Sequence, residues 1–124
     1  MIVITGAGGF IGSQLVASFN SDNITDLIVV DLANSQSEYE NLSSLDFDQY
    51  CPAEQLPNFL LANSADITAI YHLGACADTT NYDRTYMFEL NFEYSKRIAD
   101  IAVEQEIPFV YASSAAEYGN SQNG

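Results

Sequence analysis

Four glycines stand close together near the start of the chain, in the stretch TGAGGFIG. They are Gly6, Gly8, Gly9 and Gly12, and they follow a short apolar run. A strand that turns through glycines into a helix presents backbone N–H groups at the positive end of the helix dipole, which favours phosphate binding. Gly6 would allow the tight turn, Gly9 would let the backbone approach a pyrophosphate, and Gly12 would let the helix pack closely on the strand. A tight turn without any ligand has the same pattern, so the glycines alone do not distinguish the two.

A carboxylate follows at the position that dinucleotide binding requires. Asp31 ends a second apolar run, DLIVVD. In a dinucleotide-binding fold, an acidic residue at the end of the second strand accepts hydrogen bonds from the adenosine ribose. Asp31 alone could equally be a solvated carboxylate at a strand end. The glycine turn and Asp31 together predict dinucleotide binding.

Apolar runs of strand length alternate with stretches of helical period, which predicts an α/β fold with a doubly wound parallel sheet of Rossmann type. The predicted strands are residues 1–5, 26–31, 45–47, 67–75 and 107–114. Helices are expected over residues 10–20, from Pro52 onward, and over 83–106. The first helix would bury a stripe formed by Ile11, Leu15 and Phe19. The long helix would bury a face formed by Met87, Leu90, Tyr94, Ile98 and Ile101.

Composition excludes several classes of partner. The chain of 124 residues has the size of one domain, and its net charge of −14 repels nucleic acids and anionic lipid surfaces. No apolar run is long enough to span a membrane, and the sequence predicts a cytoplasmic protein. Cys51 and Cys76 show no metal-binding or redox spacing and are expected to be buried, reduced thiols. No cluster has the ligand spacing of a metal site.

Several stretches together resemble the extended short-chain dehydrogenase/reductase superfamily, whose members act on nucleotide sugars. They are TGAGGFIG, the strand-end Asp31, HLGA, Asn91 in the following helix, and SSAAEYG. Within that superfamily, GACADTTNYD, NFEYSK and EIPFVYASSAAEYG resemble the ADP-glyceromanno-heptose 6-epimerase family. The resemblance extends from residue 1 to about residue 119 and is weakest between residues 32 and 66.

The resemblance implies an epimerase that inverts C6 of ADP-heptose in bacterial lipopolysaccharide assembly. A bound nicotinamide dinucleotide would accept hydride from C6 and return it to the other face of the sugar. Ser114 matches the serine that orients the reacting hydroxyl, and Ser113 would be structural; either could instead cap the turn. The resemblance also implies a homo-oligomer of the full-length protein, with the long helix in the interface. The implied dinucleotide-binding residues are Gly6, Gly9, Phe10, Ile11, Gly12, Asp31, Leu32, Asp48, Leu73, Gly74, Ala75 and Asn91.

Some side chains have two interpretations. Thr79 and Thr80 could line the sugar pocket, as the family loop does, or cap the turn before the long helix. Asp48, beside Asp46, could contact the adenine amino group or lie on a solvated surface. His72, the one histidine of the chain, is expected to be a hydrogen-bonded packing residue. Tyr82, Tyr86 and Tyr94 are expected in the core or an interface rather than as proton donors.

The sequence departs from the superfamily in lacking a YxxxK motif, whose tyrosine transfers the proton. Phe92 stands four residues before Lys96, where that tyrosine would be. The chain is therefore interpreted as residues 1–124 of a longer enzyme, carrying the dinucleotide-binding half and inactive alone. A UDP-hexose 4-epimerase, a nucleotide-sugar dehydratase and a non-catalytic dinucleotide-binding module remain open.

A second departure concerns the cofactor. The heptose epimerase resemblance implies NADP, bound through a lysine in the loop after the second strand, but Glu38 stands at the matching position. No lysine or arginine precedes Arg84. Because Glu38 and Asp31 would repel a 2′-phosphate and no nearby cation offsets them, the charges favour NAD over NADP.

Overall fold

The computed structural model describes residues 1–31, 40–73 and 84–111, and for residues 84–91 it describes the backbone alone. The strands of these ranges are β1 (Ile2–Thr5), β2 (Leu27–Asp31), β3 (Gln49–Pro52), β4 (Ala69–His72) and β5 (Phe109–Tyr111). They form one five-stranded sheet in the order β3-β2-β1-β4-β5. Every neighbouring pair is parallel, which confirms the predicted fold class.

Helices connect these strands. The α-helices are α1 (Phe10–Ser21), α2 (Leu56–Asn63) and α3 (Arg84–Glu104). Two 3-10 turns, Ala53–Gln55 and Ser64–Asp66, flank α2, and residues 40–42 are also helical. The helix expected from Pro52 begins at Leu56 instead, because Pro52 is the last residue of β3. It is Pro57 that lies in the first turn of α2, where its missing N–H has no intrahelical partner to lose. In the described ranges, no helix is long and apolar enough to cross a membrane.

The core lies on both faces of the sheet because successive strand residues point to opposite sides. On one face, Val3 and Ile28 pack against residues of α2 and α3 such as Leu60 and Ile98. On the other face, Ile4, Leu27 and Val29 pack against Val16 of α1 and against Leu42. Helix layers on both sides explain why β2 is apolar at every position from Leu27 to Val30.

Two further details differ from the sequence-based expectation. The third strand is Gln49–Pro52 rather than residues 45–47, and Leu45 and Phe47 pack as loop side chains against the α1 face. Ile11 was expected on the buried stripe of α1, but 64% of its surface is exposed. The stripe is buried further along the helix, where Leu15 and Phe19 pack on the core.

The apolar face expected on the long helix is present where side chains are described. Ile98 and Ile101 of α3 are buried in the core, and Tyr94 packs against it. Met87 and Leu90 lie outside the residues whose side chains are described.

Candidate functional site

The sheet order creates a crevice beside the carboxyl end of β1. The chain runs outward from β1 to β2 and β3, and then returns to the other side of β1 for β4 and β5. In open parallel sheets, ligands bind at the carboxyl edge where the winding direction reverses in this way. Thr5 pairs with Val30 on one side and His72 on the other, so the turn that follows β1 lies at this reversal.

The glycine turn joins β1 to α1 with the geometry that its glycines allow. Gly6 has a φ of 69°, in the left-handed region that favours glycine. A Cβ built on Gly12 would lie 2.0 Å from the carbonyl oxygen of Gly6 and 2.7 Å from Cα of Ala7. Because these are backbone atoms, the first turn of α1 can approach the glycine turn only if residue 12 has no side chain. Gly12 therefore allows close packing, chiefly against the turn after β1.

The amino end of α1 is open. Gly9 is its N-cap residue and has no side chain, and no side chain caps this end within the described ranges. The first bond of the helix runs from the Ser13 N–H to the Gly9 carbonyl, at 2.9 Å, so the preceding amides have no intrahelical acceptor. Phe10 and Ile11 are exposed. Three backbone donors and the helix dipole are thus available to an anion, as a pyrophosphate site requires.

Asp31 lies next to this turn. One of its carboxylate oxygens accepts a hydrogen bond from the Gly8 N–H at 2.7 Å. The Tyr50 hydroxyl donates to the backbone carbonyl of Asp31 at 2.9 Å. The carboxylate is half-buried at the end of β2, beside the helix terminus, where a ribose next to the pyrophosphate would lie. The residues present therefore fit an adenine dinucleotide.

Leu73 and Asp48, the two other described candidates for dinucleotide contact, lie at opposite edges of the sheet. Leu73 directly follows β4 at the carboxyl edge, and its N–H donates to the Thr5 carbonyl at 3.3 Å. Asp48 precedes β3, and its N–H donates to Leu27 at the start of β2. Asp48 is therefore at the amino edge, roughly 13 Å from the carboxyl end of β3. A ligand at the carboxyl edge is out of its reach, so the adenine contact expected for Asp48 is wrong and its solvated alternative fits the structure.

His72 is a buried packing residue, as expected from the sequence. Its Nδ1 shares a hydrogen bond of 2.7 Å with the Thr5 hydroxyl, and its Nε2 shares one of 2.7 Å with the Ser95 hydroxyl. The ring stacks on Phe109 and Tyr111 of β5. Burial lowers the pKa of His72 to about 4. The imidazole is therefore neutral at pH 7 and links β1, β4 and α3.

Two further groups are also structural. Tyr94 donates its hydroxyl hydrogen to the Ala53 carbonyl at 2.6 Å. The pKa of Tyr94 is raised, first by burial and then by electrostatic interactions with Cys51 and Asp31. Cys51 is a free, buried thiol whose pKa is raised by burial. Among the described residues, no group of three histidine, cysteine or acidic side chains could hold a metal ion.

Many candidates lie outside the described residues, and their roles stay predictions. They are Leu32, Glu38, Gly74, Ala75, Cys76, Thr79, Thr80, Tyr82, Ser113, Ser114 and the side chains of Tyr86 and Asn91.

Asn41 was not singled out by the sequence. Its side-chain amide donates a hydrogen bond of 2.8 Å to the Gly8 carbonyl, across 33 positions of sequence. No motif marks such a contact, because the local sequence around Asn41 is an ordinary polar turn.

Solved structures of similar fold come from several enzymes. ADP-L-glycero-D-manno-heptose-6-epimerase from Helicobacter pylori matches with a TM-score of 0.77 and 24% identity over 97% of this chain. WbmG from Bordetella bronchiseptica, solved with NAD and UDP, matches with a TM-score of 0.72 and 21% identity over 95% of the chain. UDP-glucose 4-epimerase from Thermotoga maritima matches with a TM-score of 0.69 and 21% identity over 91% of the chain. The chain spans 40%, 38% and 37% of these three proteins, respectively.

A family match covers almost the whole sequence. The model of the NAD dependent epimerase/dehydratase family matches residues 2–124. That range contains the glycine turn, the open end of α1 and Asp31, which are the features that fit a dinucleotide. The chain belongs to the NAD dependent epimerase/dehydratase family.

Proposed function

We propose that the carboxyl edge of this sheet binds a nicotinamide adenine dinucleotide in an enzyme that acts on a nucleotide sugar. The observation that carries the proposal is the open amino end of α1 at the reversal of the sheet, with Asp31 beside it. The backbone amides of Phe10, Ile11 and Gly12 would hold the pyrophosphate. Asp31 would accept hydrogen bonds from the adenosine ribose, and Leu73 would line the crevice on the side of β4.

The proposed reaction is inversion of C6 of ADP-glycero-manno-heptose. When bound, a nicotinamide cofactor supplies reversible oxidation of the sugar carbon, with no net redox change. We assign to Ser114 the orientation of the reacting hydroxyl and to Thr79 and Thr80 the contact with the sugar. The resemblance of GACADTTNYD and YASSAAEYG to heptose epimerases supports this substrate, as does the similarity to the Helicobacter pylori enzyme.

Other reactions on nucleotide sugars are the alternative. The similarity to UDP-glucose 4-epimerase favours a UDP-hexose substrate to a comparable degree, and a nucleotide-sugar dehydratase would use the same dinucleotide-binding half. A dinucleotide-binding module without catalysis would have no use for a hydroxyl at Ser114. The cytoplasm is the proposed compartment, and the free thiol of Cys51 fits reducing conditions there. We also propose a homo-oligomer in which α3 contributes to the interface.

We expect the 124-residue chain alone to be inactive, so the activity is tested on the longer enzyme of which we propose it is a part. That enzyme is incubated with ADP-heptose and, separately, with UDP-glucose, and the sugar epimers are followed by proton NMR. Inversion at C6 of the heptose supports the first assignment, and inversion at C4 of the hexose supports the alternative. Ser114→Ala should slow either reaction by 100-fold or more, on the order of an oriented donor's effect, and Ser113→Ala is the matched control. Binding of NAD or NADP by the longer enzyme without turnover of either sugar contradicts both assignments.

NAD should bind at least tenfold more tightly than NADP. The 2′-phosphate adds about two negative charges near Asp31, which Glu38 follows by about seven positions in the sequence, and the net charge of the chain is −14. No lysine or arginine precedes Arg84, so the first two thirds of the sequence offer no cation to offset that repulsion.

Calorimetric titration with the two cofactors at the same ionic strength checks this expectation. Raising the salt concentration should narrow the difference in affinity between NAD and NADP, because screening weakens the repulsion of the 2′-phosphate. Glu38→Lys should narrow it further and Glu40→Lys, two positions along the same segment, is the control. Tighter binding of NADP would contradict the charge argument, and binding of neither cofactor would contradict the proposed function.

A further inference from the structure

The peptide groups on both sides of Gly8 are held by long-range hydrogen bonds. The Gly8 N–H donates to the Asp31 carboxylate at 2.7 Å. The Gly8 carbonyl accepts from the Asn41 side-chain amide at 2.8 Å. The next N–H, that of Gly9, donates to the Gly6 carbonyl at 3.1 Å. The peptide unit between Gly8 and Gly9 is therefore fixed at its carbonyl by Asn41 and at its N–H by Gly6.

This unit requires fixing because neither residue that flanks it has a Cβ. Two consecutive glycines rotate about their backbone bonds at low steric cost, so the unit between them could turn over. A half-turn would move the Gly8 carbonyl toward the place of the Gly9 N–H and break the bond to Gly6. Gly9 is the N-cap of α1, so such a rotation would disturb the first turn of the helix, where the anion would bind.

Asn41 is itself held in place by its neighbour. Leu42 is buried in the core cluster that also contains Val16 of α1, with 5% of its surface exposed. Because a carbonyl oxygen can only accept, the amide nitrogen of Asn41 must face Gly8, and an aspartate of the same shape could not replace it.

We propose that Asn41 is a positioning residue for dinucleotide binding, which holds the Gly8 carbonyl so that the glycine turn and the start of α1 are preorganised for a pyrophosphate. This inference rests on the proposed function. It assigns no contact between Asn41 and the ligand, since its role is exerted through the peptide unit that it holds.

The test compares Asn41→Ala and Asn41→Asp with the native protein. Ser43→Ala is the matched control, since Ser43 lies in the same exposed turn and its hydroxyl bonds only locally, to the Glu40 carbonyl at 2.8 Å. Without ligand, hydrogen exchange of the peptide that covers residues 6–12 should be several-fold faster in both Asn41 variants and unchanged in Ser43→Ala. The dissociation constant for NAD should rise about 3- to 10-fold in both variants, the loss expected for one hydrogen bond.

Adenosine, measured as a competitor of NAD, separates positioning of the turn from a general loss of structure. It lacks the pyrophosphate, so its inhibition constant should be the same in the variants and the native protein. Equal weakening of NAD binding and adenosine binding in the Asn41 variants would overturn the positioning role of Asn41. Unchanged hydrogen exchange of residues 6–12 would overturn it as well. Failure of the native protein to bind NAD or NADP would instead overturn the proposed function, and the exchange result would still report on Asn41 and the turn.

Discussion

Replacing Gly12 by alanine should abolish dinucleotide binding and lower the free energy of unfolding by about 3 kcal/mol. The added Cβ would lie 2.0 Å from the Gly6 carbonyl oxygen and 2.7 Å from both the Gly6 carbonyl carbon and Cα of Ala7. No side chain can rotate to relieve these overlaps, because all three atoms belong to the backbone. The first turn of α1 must move away from the glycine turn, and the amides that would hold the pyrophosphate move with it.

Gly9→Ala is the matched control for this substitution. A Cβ at Gly9 would lie 3.4 Å from the Gly6 oxygen, an ordinary contact, and its φ of −76° suits any residue. Thermal denaturation should therefore show nearly native stability for Gly9→Ala and a large loss for Gly12→Ala. Calorimetry should show weaker NAD binding in Gly9→Ala if the ligand approaches that backbone. Native stability and affinity in Gly12→Ala would contradict the steric argument.

Acidification should destabilise the protein through His72, by roughly 3 kcal/mol between pH 7 and pH 4. Burial lowers the pKa of His72 to about 4 from the ordinary value of 6.5. The unfolded state therefore binds the proton first as the pH falls, so the stabilising contribution is complete above pH 6.5 and is lost as the pH falls toward 4. The ring meets the hydroxyls of Thr5 and Ser95 and three aromatic rings, and among the described residues no carboxylate is hydrogen-bonded to it.

His72→Gln isolates this effect from the titration of the many carboxylates. The variant should have a lower free energy of unfolding than the native protein at pH 7. The difference between the two free energies should shrink by roughly 3 kcal/mol as the pH falls to 4. Urea denaturation at a series of pH values measures both curves. A difference that is constant from pH 7 to pH 4 would show that His72 is not the group that titrates.

The sequence was most informative where apolar runs are long. The run that ends at Asp31 predicted β2 to within one residue, because a strand covered on both faces must be apolar throughout. β3 was misplaced because its only buried apolar residue is Cys51, whereas Leu45 and Phe47 show a stronger apolar pattern but lie in a loop. Strand pairing with β2, rather than local composition, determines that β3 begins at Gln49.

The misplacement of β3 also explains the error at Asp48. A strand at residues 45–47 would have placed Asp48 at the carboxyl edge, near Asp31, whereas the observed strand places it at the amino edge. The glycine turn was predictable because its conformation is local, as the positive φ of Gly6 illustrates. The bond from Asn41 to Gly8 was not, since it depends on how a distant turn folds back on the sheet.

The strand order has a consequence for how the chain folds during synthesis. β1 is the central strand and the earliest of the five in the sequence, and its two neighbours in the sheet are synthesised at very different times. β2 is complete at Asp31, but β4 begins only at Ala69, about 2 to 8 s later at ordinary rates of translation. During that interval α1 can cover a face of β1, but the second edge of this strand, with the sequence IVIT, is unpaired. Its backbone N–H and C=O groups are then open to pairing with other nascent chains. The yield of folded protein should therefore depend on how soon β4 follows.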